Sequence, residues 1–323
     1  METPQPFKVA ILLATYNGAR FVESQIQSLR RNAVRFTLHW LDDHSTDGTR
    51  EAVCAAAARS NIELKAWHEP QRLGVPATFF RLLEQVDADI YLFCDQDDIW
   101  QPGKIDATVE NLLPDLASPA LCFSDPLMFS EEEPSNLRRV SDVIAYAKHP
   151  MALEESRLFM SACACGNTLG FTRPLRDLFV QHKDIARAYA RMHDSWMYLI
   201  AKVSGTARML FDVPTTLYRQ HGNNFSSAFF NCKGNRLAWR WRLQHRVRRS
   251  TSRHAQGFIL AAETLPRGPK LDRALDLARM IGTLERRQSL WALARLAHRR
   301  AMLPTWRDTL WLAVACLCTD AKA

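Results

Sequence analysis

Three carboxylates, Asp95, Asp97 and Asp98, stand directly against an apolar run in the stretch YLFCDQDDIW, Tyr91 to Trp100. Clustered acids repel one another and raise the energy of the folded state unless something positive lies between them. A cation site is therefore one reading of this stretch. The other is a solvated turn, with Asp98 capping a helix that Pro102 and Gly103 help to set up. Further polar groups recur along the chain: Thr15, Tyr16 and Asn17 in ATYNG, Asp42, Asp43 and Asp47 in LDDHSTDGT, Cys165, Gly166 and Asn167 in CGN, Asp194 and Trp196 in HDSW, and Arg219 and His221 in YRQHGNN.

The elements between them decide whether these groups can meet. Lys8 to Ala14 is nearly all apolar on both faces, as a strand covered on both sides should be. Phe21, Val22, Ile26 and Leu29 then recur at helical spacing. Phe36 to Leu41 is strand-like, and Asp47 can cap a helix running to about Ser60. Ile62 to Trp67 predicts a third strand, Pro76 to Gln85 a helix, and Ile90 to Cys94 a fourth strand. Alternating strands and helices imply a Rossmann-like α/β domain with a mostly parallel sheet and helices on both faces. Ligands bind such sheets beyond the carboxyl ends of the strands, where strand order reverses. Thr15 to Asn17, Asp42 and Asp43, and Asp95 to Asp98 all fall at that edge. From Leu121 the pattern becomes mixed and less regular, and after about Phe230 it is helical and Arg-rich. Leu277, Ile281 and Leu284, then Trp291 and Leu296, approximate one apolar face there.

Composition bounds the class. The 323 residues are 47% hydrophobic with a net charge of +8, enough for one large domain with an appendage. Residues 231–323 hold 19 Lys and Arg against 6 Asp and Glu, a net of +13, leaving −5 for residues 1–230. A basic tail on an acidic body favours a polyanion or an anionic membrane surface. The eight cysteines include two C-x-C pairs but no zinc spacing, which suggests a reducing compartment, and Cys163 and Cys165 read as packing residues. The opening METPQPFKVAILLATYNG lacks the charged start and long apolar centre of a leader and reads as a first strand. Leu310 to Cys318 is about half of the ~20 residues a spanning helix needs. The expected location is cytoplasmic, peripheral at the inner face of the cell membrane.

In this order, ATYNG, LDDHSTDGT, FCDQDDIW, CGNTLGF, HDSW and YRQHGNN resemble a family 2 glycosyltransferase of the GT-A fold, over about residues 8 to 225. D-Q-D-D-I-W and Y-R-Q-H-G-N are similar to the rhamnosyltransferase-like members that build bacterial surface polysaccharide. The resemblance implies a GT-A domain over 1–230, with a nucleotide-binding half at about 7–120 and an acceptor half at about 121–230, followed by a basic helical appendage over 231–323. It implies Mg2+ or Mn2+ as cofactor and a dTDP- or UDP-linked sugar as donor. The metal would be held by Asp97, with His221 as a metal or diphosphate contact and Arg219 its rival for the diphosphate. Thr15, Tyr16, Asn17 and Asp43 would receive the nucleotide, Asp43 accepting from a pyrimidine N–H, and Asp95 the ribose or the metal shell. Asp194 matches the general base, although Asp before an apolar run is also the usual helix cap. His193 would orient it, and Gly166, Asn167 and Trp196 would line the site of a glycan or polyprenyl-linked glycan acceptor.

The chain departs from this family in two places. Processive relatives carry Q-x-x-R-W and spanning helices, whereas Leu237 precedes Arg240 and Trp241 and no spanning run exists, so the expected enzyme is inverting and non-processive, adding one rhamnose or other hexose. His44 replaces the usual Gly of the DDGS turn, where left-handed geometry tolerates it at modest cost. The alternative function is a non-catalytic nucleic-acid- or glycan-binding protein using the basic helices. It lacks a recognisable reading module, and nucleic acid is not an expected partner.

Overall fold

The computed structural model describes residues 5–143, 159, 164–213, 215–222 and 236–282, giving only the backbone for 143 and 236–248. These residues form two compact units. The first draws on 1–143, 164–183 and 192–219, and the second on 144–163, 184–191 and 220–323. The second unit thus takes in two segments that precede the boundary expected at residue 230.

In the first unit, strand β1 (Val9–Thr15) has Ala10 to Leu13 wholly inaccessible, because the sheet is covered on both faces. It pairs in parallel with β2 (Thr37–Asp42) on one side and β4 (Ile90–Cys94) on the other, and β2 pairs in parallel with β3 (Leu64–Trp67). The reversal of strand order between β1 and β4 creates the crevice expected from the sequence. Helices α1 (Val22–Ser28), α2 (Thr49–Arg59), α3 (Ala77–Gln85) and α4 (Lys104–Leu112) connect these strands. Helix α3 turns Phe79, Phe80, Leu82 and Leu83 into the core.

Beyond β4 the sheet continues through β9 (Gly170–Thr172) to β6 (Ala120–Ser124) and β10 (Thr206–Leu210). Strand β9 is antiparallel to both β4 and β6. It therefore begins at the edge where its neighbours end, which brings the short 3₁₀ turn Gly166–Thr168 to the carboxylates. A second sheet has the order β5 (Ile99–Trp100), β11 (Thr216–Gln220), β7 (Leu127–Ser130), β8 (Arg138–Arg139). Strands β5 and β11 are antiparallel, so Arg219 returns to the turn preceding β5. Helices α5 (Val140–Val143), α6 (Arg173–Gln181), α7 (Lys183–Tyr189) and α8 (His193–Ser204) complete the order up to β10.

In the second unit, α9 (Arg236–Ala261) and α10 (Pro269–Gly282) pack together. Helix α10 buries Leu271, Leu275, Leu277 and Ile281, while Ala255 and Phe258 of α9 are fully buried. Leu284, Trp291 and Leu296 lie outside the described residues.

Candidate active site

Three strand ends converge on the crevice. At the end of β1, Thr15 is buried, its hydroxyl donating to Asp42 (2.8 Å) and accepting from Trp40 Nε1 (2.9 Å). Its hydroxyl is therefore engaged inside the sheet. Tyr16 is 37% exposed and presents its ring at the edge, with the Arg72 guanidinium 3.6 Å from the ring centre. Asn17, at φ 47°, accepts from Thr46 N through Oδ1 (2.8 Å) and ties β1 to the loop after β2. Asp43 accepts from Leu73 N (2.6 Å), Gly74 N (2.9 Å) and Arg72 Nε (3.4 Å). A carboxylate has about four lone-pair sites, so these donors leave room for one more. Asp42 caps the loop by accepting from Ser45 N, and Asp47 accepts from Thr49 N at the start of α2. His44 has φ 64°, in the left-handed region expected of it.

The carboxylate turn after β4 is held from beneath. Asp98 is wholly buried and accepts from Asn167 Nδ2 (2.6 Å) and from Arg219 N (3.1 Å). It caps no helix, since α4 starts only at Lys104, after Gly103 at φ 78°. Burial and the neighbouring Asp97 and Asp95 push its pKa well above the usual carboxylate range. Asp95 is pushed up to about 7, first by desolvation and then by repulsion from Asp97 and Asp194, with Lys104 opposing. The repulsion reports that Asp194, some hundred residues along the chain, lies close to the turn.

Arg219 packs beside the same turn. Its guanidinium is 6% exposed between the rings of Phe21 and Phe129, donating to Asp97 O (2.8 Å), Glu131 (2.9 Å) and Ser24 Oγ (3.2 Å). Those contacts tie it to the backbone of the turn and to the Glu131 and Ser24 side chains. Asn167, expected at the acceptor, is 2% exposed, with its amide on Asp98 and its carbonyl accepting from Lys104 Nζ (2.6 Å) and Thr216 Oγ1 (2.9 Å). Trp196 is fully buried in the core face of α8, out of reach of any acceptor.

Asp194 is the second residue of α8 and does not cap it, since Met192 is the residue preceding the helix. An acid in the first turn still benefits from the helix dipole. The half-buried carboxylate follows His193, whose ring lies 4.1 Å from Phe79 and 4.7 Å from Phe93, centre to centre. Burial lowers the His193 pKa to about 4, so the ring is neutral near pH 7, and its nitrogens have no hydrogen-bond partner among the described residues. A Cβ at Gly166 would come 2.8 Å from His193 Nε2, so this glycine permits the approach of the 3₁₀ turn to α8. Burial holds the Cys165 thiol far above its ordinary pKa, consistent with packing. His221 follows β11 in the second unit, and its expected ligand role rests on the sequence.

Four residues of the site were not singled out from sequence: Arg72, Gln96, Lys104 and Asp125. Gln96 accepts from Tyr16 N (2.8 Å) and donates to Tyr16 O (3.0 Å), joining the ends of β1 and β4 as a strand would. Lys104 is buried under the turn, its Nζ 3.3 Å from the centre of the Trp100 ring. Asp125, at the end of β6, accepts from Ser141 N (3.1 Å). Among these, only Gln96 carried a signal, its place between two acids of one motif.

Among the described residues no three His, Cys, Asp or Glu side chains form a ready metal cluster. Mg2+ needs only one or two carboxylates when substrate phosphates complete its shell. The repulsion that Asp97 and Asp194 exert on Asp95 is the observation that fits a cation at this turn.

The family model for Glycosyl transferase family 2 matches residues 10–166, from β1 to the 3₁₀ turn. Residues 10–166 thus carry a family 2 glycosyltransferase domain. This glycosyltransferase is 27% identical over 222 residues to the dTDP-rhamnosyl transferase RfbG of Shigella flexneri, covering 66% of this chain and 72% of that protein. It is 27% identical over 108 residues to Protein RfbJ of Shigella flexneri, covering 33% and 78%. Its fold is similar to that of the mannosyltransferase PcManGT from Pyrobaculum calidifontis in complex with GDP-Man and Mn2+, at TM-score 0.52 and 19% identity, covering 96% and 86% of the chains. S. aureus TarS 1–349 in complex with UDP-GlcNAc is similar at TM-score 0.53 and 14% identity, covering 96% and 90%. The glycosyltransferase thus has the GT-A architecture of these neighbours.

Proposed function

We propose that this glycosyltransferase moves rhamnose or another hexose, with inversion and one residue at a time, from a dTDP- or UDP-linked donor to a glycan or polyprenyl-linked glycan of a surface polysaccharide. The observation that carries this reading is the convergence of Asp95, Asp97 and Asp194 at the strand-order reversal, where Asp97 and Asp194 lie close enough to act on Asp95. The dTDP-rhamnosyl transferase relative supports the donor class.

Each residue then has a task that its position suits. The exposed Tyr16 ring, backed by Arg72, offers a face on which a base can stack, and the remaining acceptor site of Asp43 suits an N–H. Asp97 would hold Mg2+ or Mn2+, with Asp95 contributing. A cation there would neutralise the diphosphate as it leaves. Asp194 would take the proton of the acceptor hydroxyl, from the face opposite the leaving group, as inversion requires. Arg219 acts indirectly, fixing the Asp97 carbonyl. The domain limits expected from sequence, 1–230 and 231–323, belong to the same reading.

The test separates the two acids. Asp97→Asn should abolish the metal-dependent part of nucleoside-diphosphate binding, read by calorimetry with Mn2+ and with EDTA. Asp194→Asn should leave that affinity within a few-fold while transfer falls by about 10²–10⁴. Equal wild-type affinity in Mn2+ and EDTA would sink the metal role, and near-full transfer by Asp194→Asn would sink the base.

A further inference from the structure

Lys104 touches no surface a substrate could reach, since it is 2% exposed. Burying an ammonium is costly unless charge and hydrogen bonds compensate it. Here Nζ donates to Asn167 O (2.6 Å) and lies against the Trp100 ring (3.3 Å). The carboxylates that act on it are Asp98 and Asp95, beside the thiols of Cys94 and Cys122. Through Asn167, Lys104 connects to both sides of the site. On one side the Asn167 amide holds Asp98, whose other oxygen receives Arg219 N, and Arg219 in turn holds the Asp97 carbonyl. On the other, the adjacent Gly166 is so close to His193 that a Cβ would lie 2.8 Å from its Nε2 and 3.6 Å from Asp194 Cβ.

We propose that Lys104 is a positioning residue: its buried Nζ, held by the Asn167 carbonyl and the Trp100 face, fixes the Asp95–Asp98 turn against the Gly166–Asn167 segment and so sets the spacing between the donor-side carboxylates and Asp194. An apolar side chain would fill the same space at the start of α4. It would leave the buried Asn167 carbonyl with Thr216 Oγ1 as its remaining donor, and the Gly166–Asn167 segment would shift relative to the turn. The two halves of the site would each persist but lose their mutual register, and misplacement of about 1 Å is enough to slow a reaction markedly.

This inference rests on the roles given to Asp97 and Asp194, and the experiment keeps the two apart. Lys104→Met, Asp98→Asn and the double variant are compared with wild type by thermal melting and by turnover of dTDP-, UDP- and GDP-sugars in Mn2+. Lys104→Met should lower kcat by about 10–100-fold with donor KM within about three-fold. Both substitutions loosen the same Asn167 tether, so adding Asp98→Asn to Lys104→Met should cost less kcat and less melting temperature than Asp98→Asn costs in wild type. Wild-type kcat in Lys104→Met, independent effects of the two substitutions, or failure of the double variant to fold would each overturn the proposal. A wild-type protein that turns over no donor would instead sink the donor reading. The melting cycle alone then decides Lys104, with coupling between the two sites keeping the proposal and additivity overturning it.

Discussion

A histidine between two phenylalanines has a different proton affinity from one in water. His193 is 3% exposed against Phe79 and Phe93, and desolvation lowers its pKa from 6.5 to about 4, with Asp194 opposing. The unfolded chain therefore takes up this proton first as pH falls below about 6.5, and the native state loses relative stability down to about pH 4. His193→Leu should remove that dependence. The stability difference between wild type and variant should then change by on the order of 1.4 kcal/mol per pH unit inside the window and stay flat above it. Denaturant melts at pH 7.5, 6.0 and 5.0 test this, and parallel curves for the two proteins would refute it. The comparison isolates one group, which matters because Asp95 and Asp98 carry shifts of opposite consequence in the same range.

At the scale of elements, the site depends on an antiparallel strand in a parallel sheet. Because β9 runs against β4 and β6, its first residues arrive where theirs end, and Gly166 meets the start of α8. Gly166→Ala would push a methyl to 2.8 Å from His193 Nε2. That ring is clasped by two phenylalanines and cannot yield, so the backbone must move, at a cost of about 1–3 kcal/mol. The expected outcome is a folded, less stable enzyme whose nucleotide affinity is kept while transfer drops at least ten-fold, measured by calorimetry beside a transfer assay. A larger loss of nucleotide binding than of transfer would show that the 3₁₀ turn serves the donor side instead.

At the scale of the molecule, charge divides the chain: the net +13 of residues 231–323 stands beside the net −5 of the rest. No described helix is long and apolar enough to cross a membrane. Helix α10 packs on α9 and buries Leu271, Leu275, Leu277 and Ile281, so attraction of this pair to a surface would rest largely on charge. The proposed location is peripheral, at the inner face of the cell membrane, where polyprenyl-linked acceptors are presented. The protein should co-sediment with anionic vesicles at low salt, release at high salt, and ignore neutral vesicles. Equal binding to both lipids would remove the idea.

The sequence by itself determined the parallel half of the sheet and the grouping of Tyr16, Asp43 and the Asp95–Asp98 turn. Hydrophobic periodicity sets those strands, and the parallel topology aligns their carboxyl ends whatever the side-chain details. Asp194 was legible only through the motif order, since an acid at a helix start has the same local pattern whether or not it faces a cleft. Tertiary structure decided which polar groups face inward. Asp98, Asn167 and Arg219 carry the residue types of a binding site, yet they hydrogen-bond to one another beneath it. The burial of Lys104 could not be read from PGK, which looks like an exposed turn. Whether a charged side chain ends in solvent or under a sheet depends on partners distant in the chain: for Lys104 the carbonyl of Asn167, for Arg219 that of Asp97. Spacing along the chain carries no record of contacts made across it.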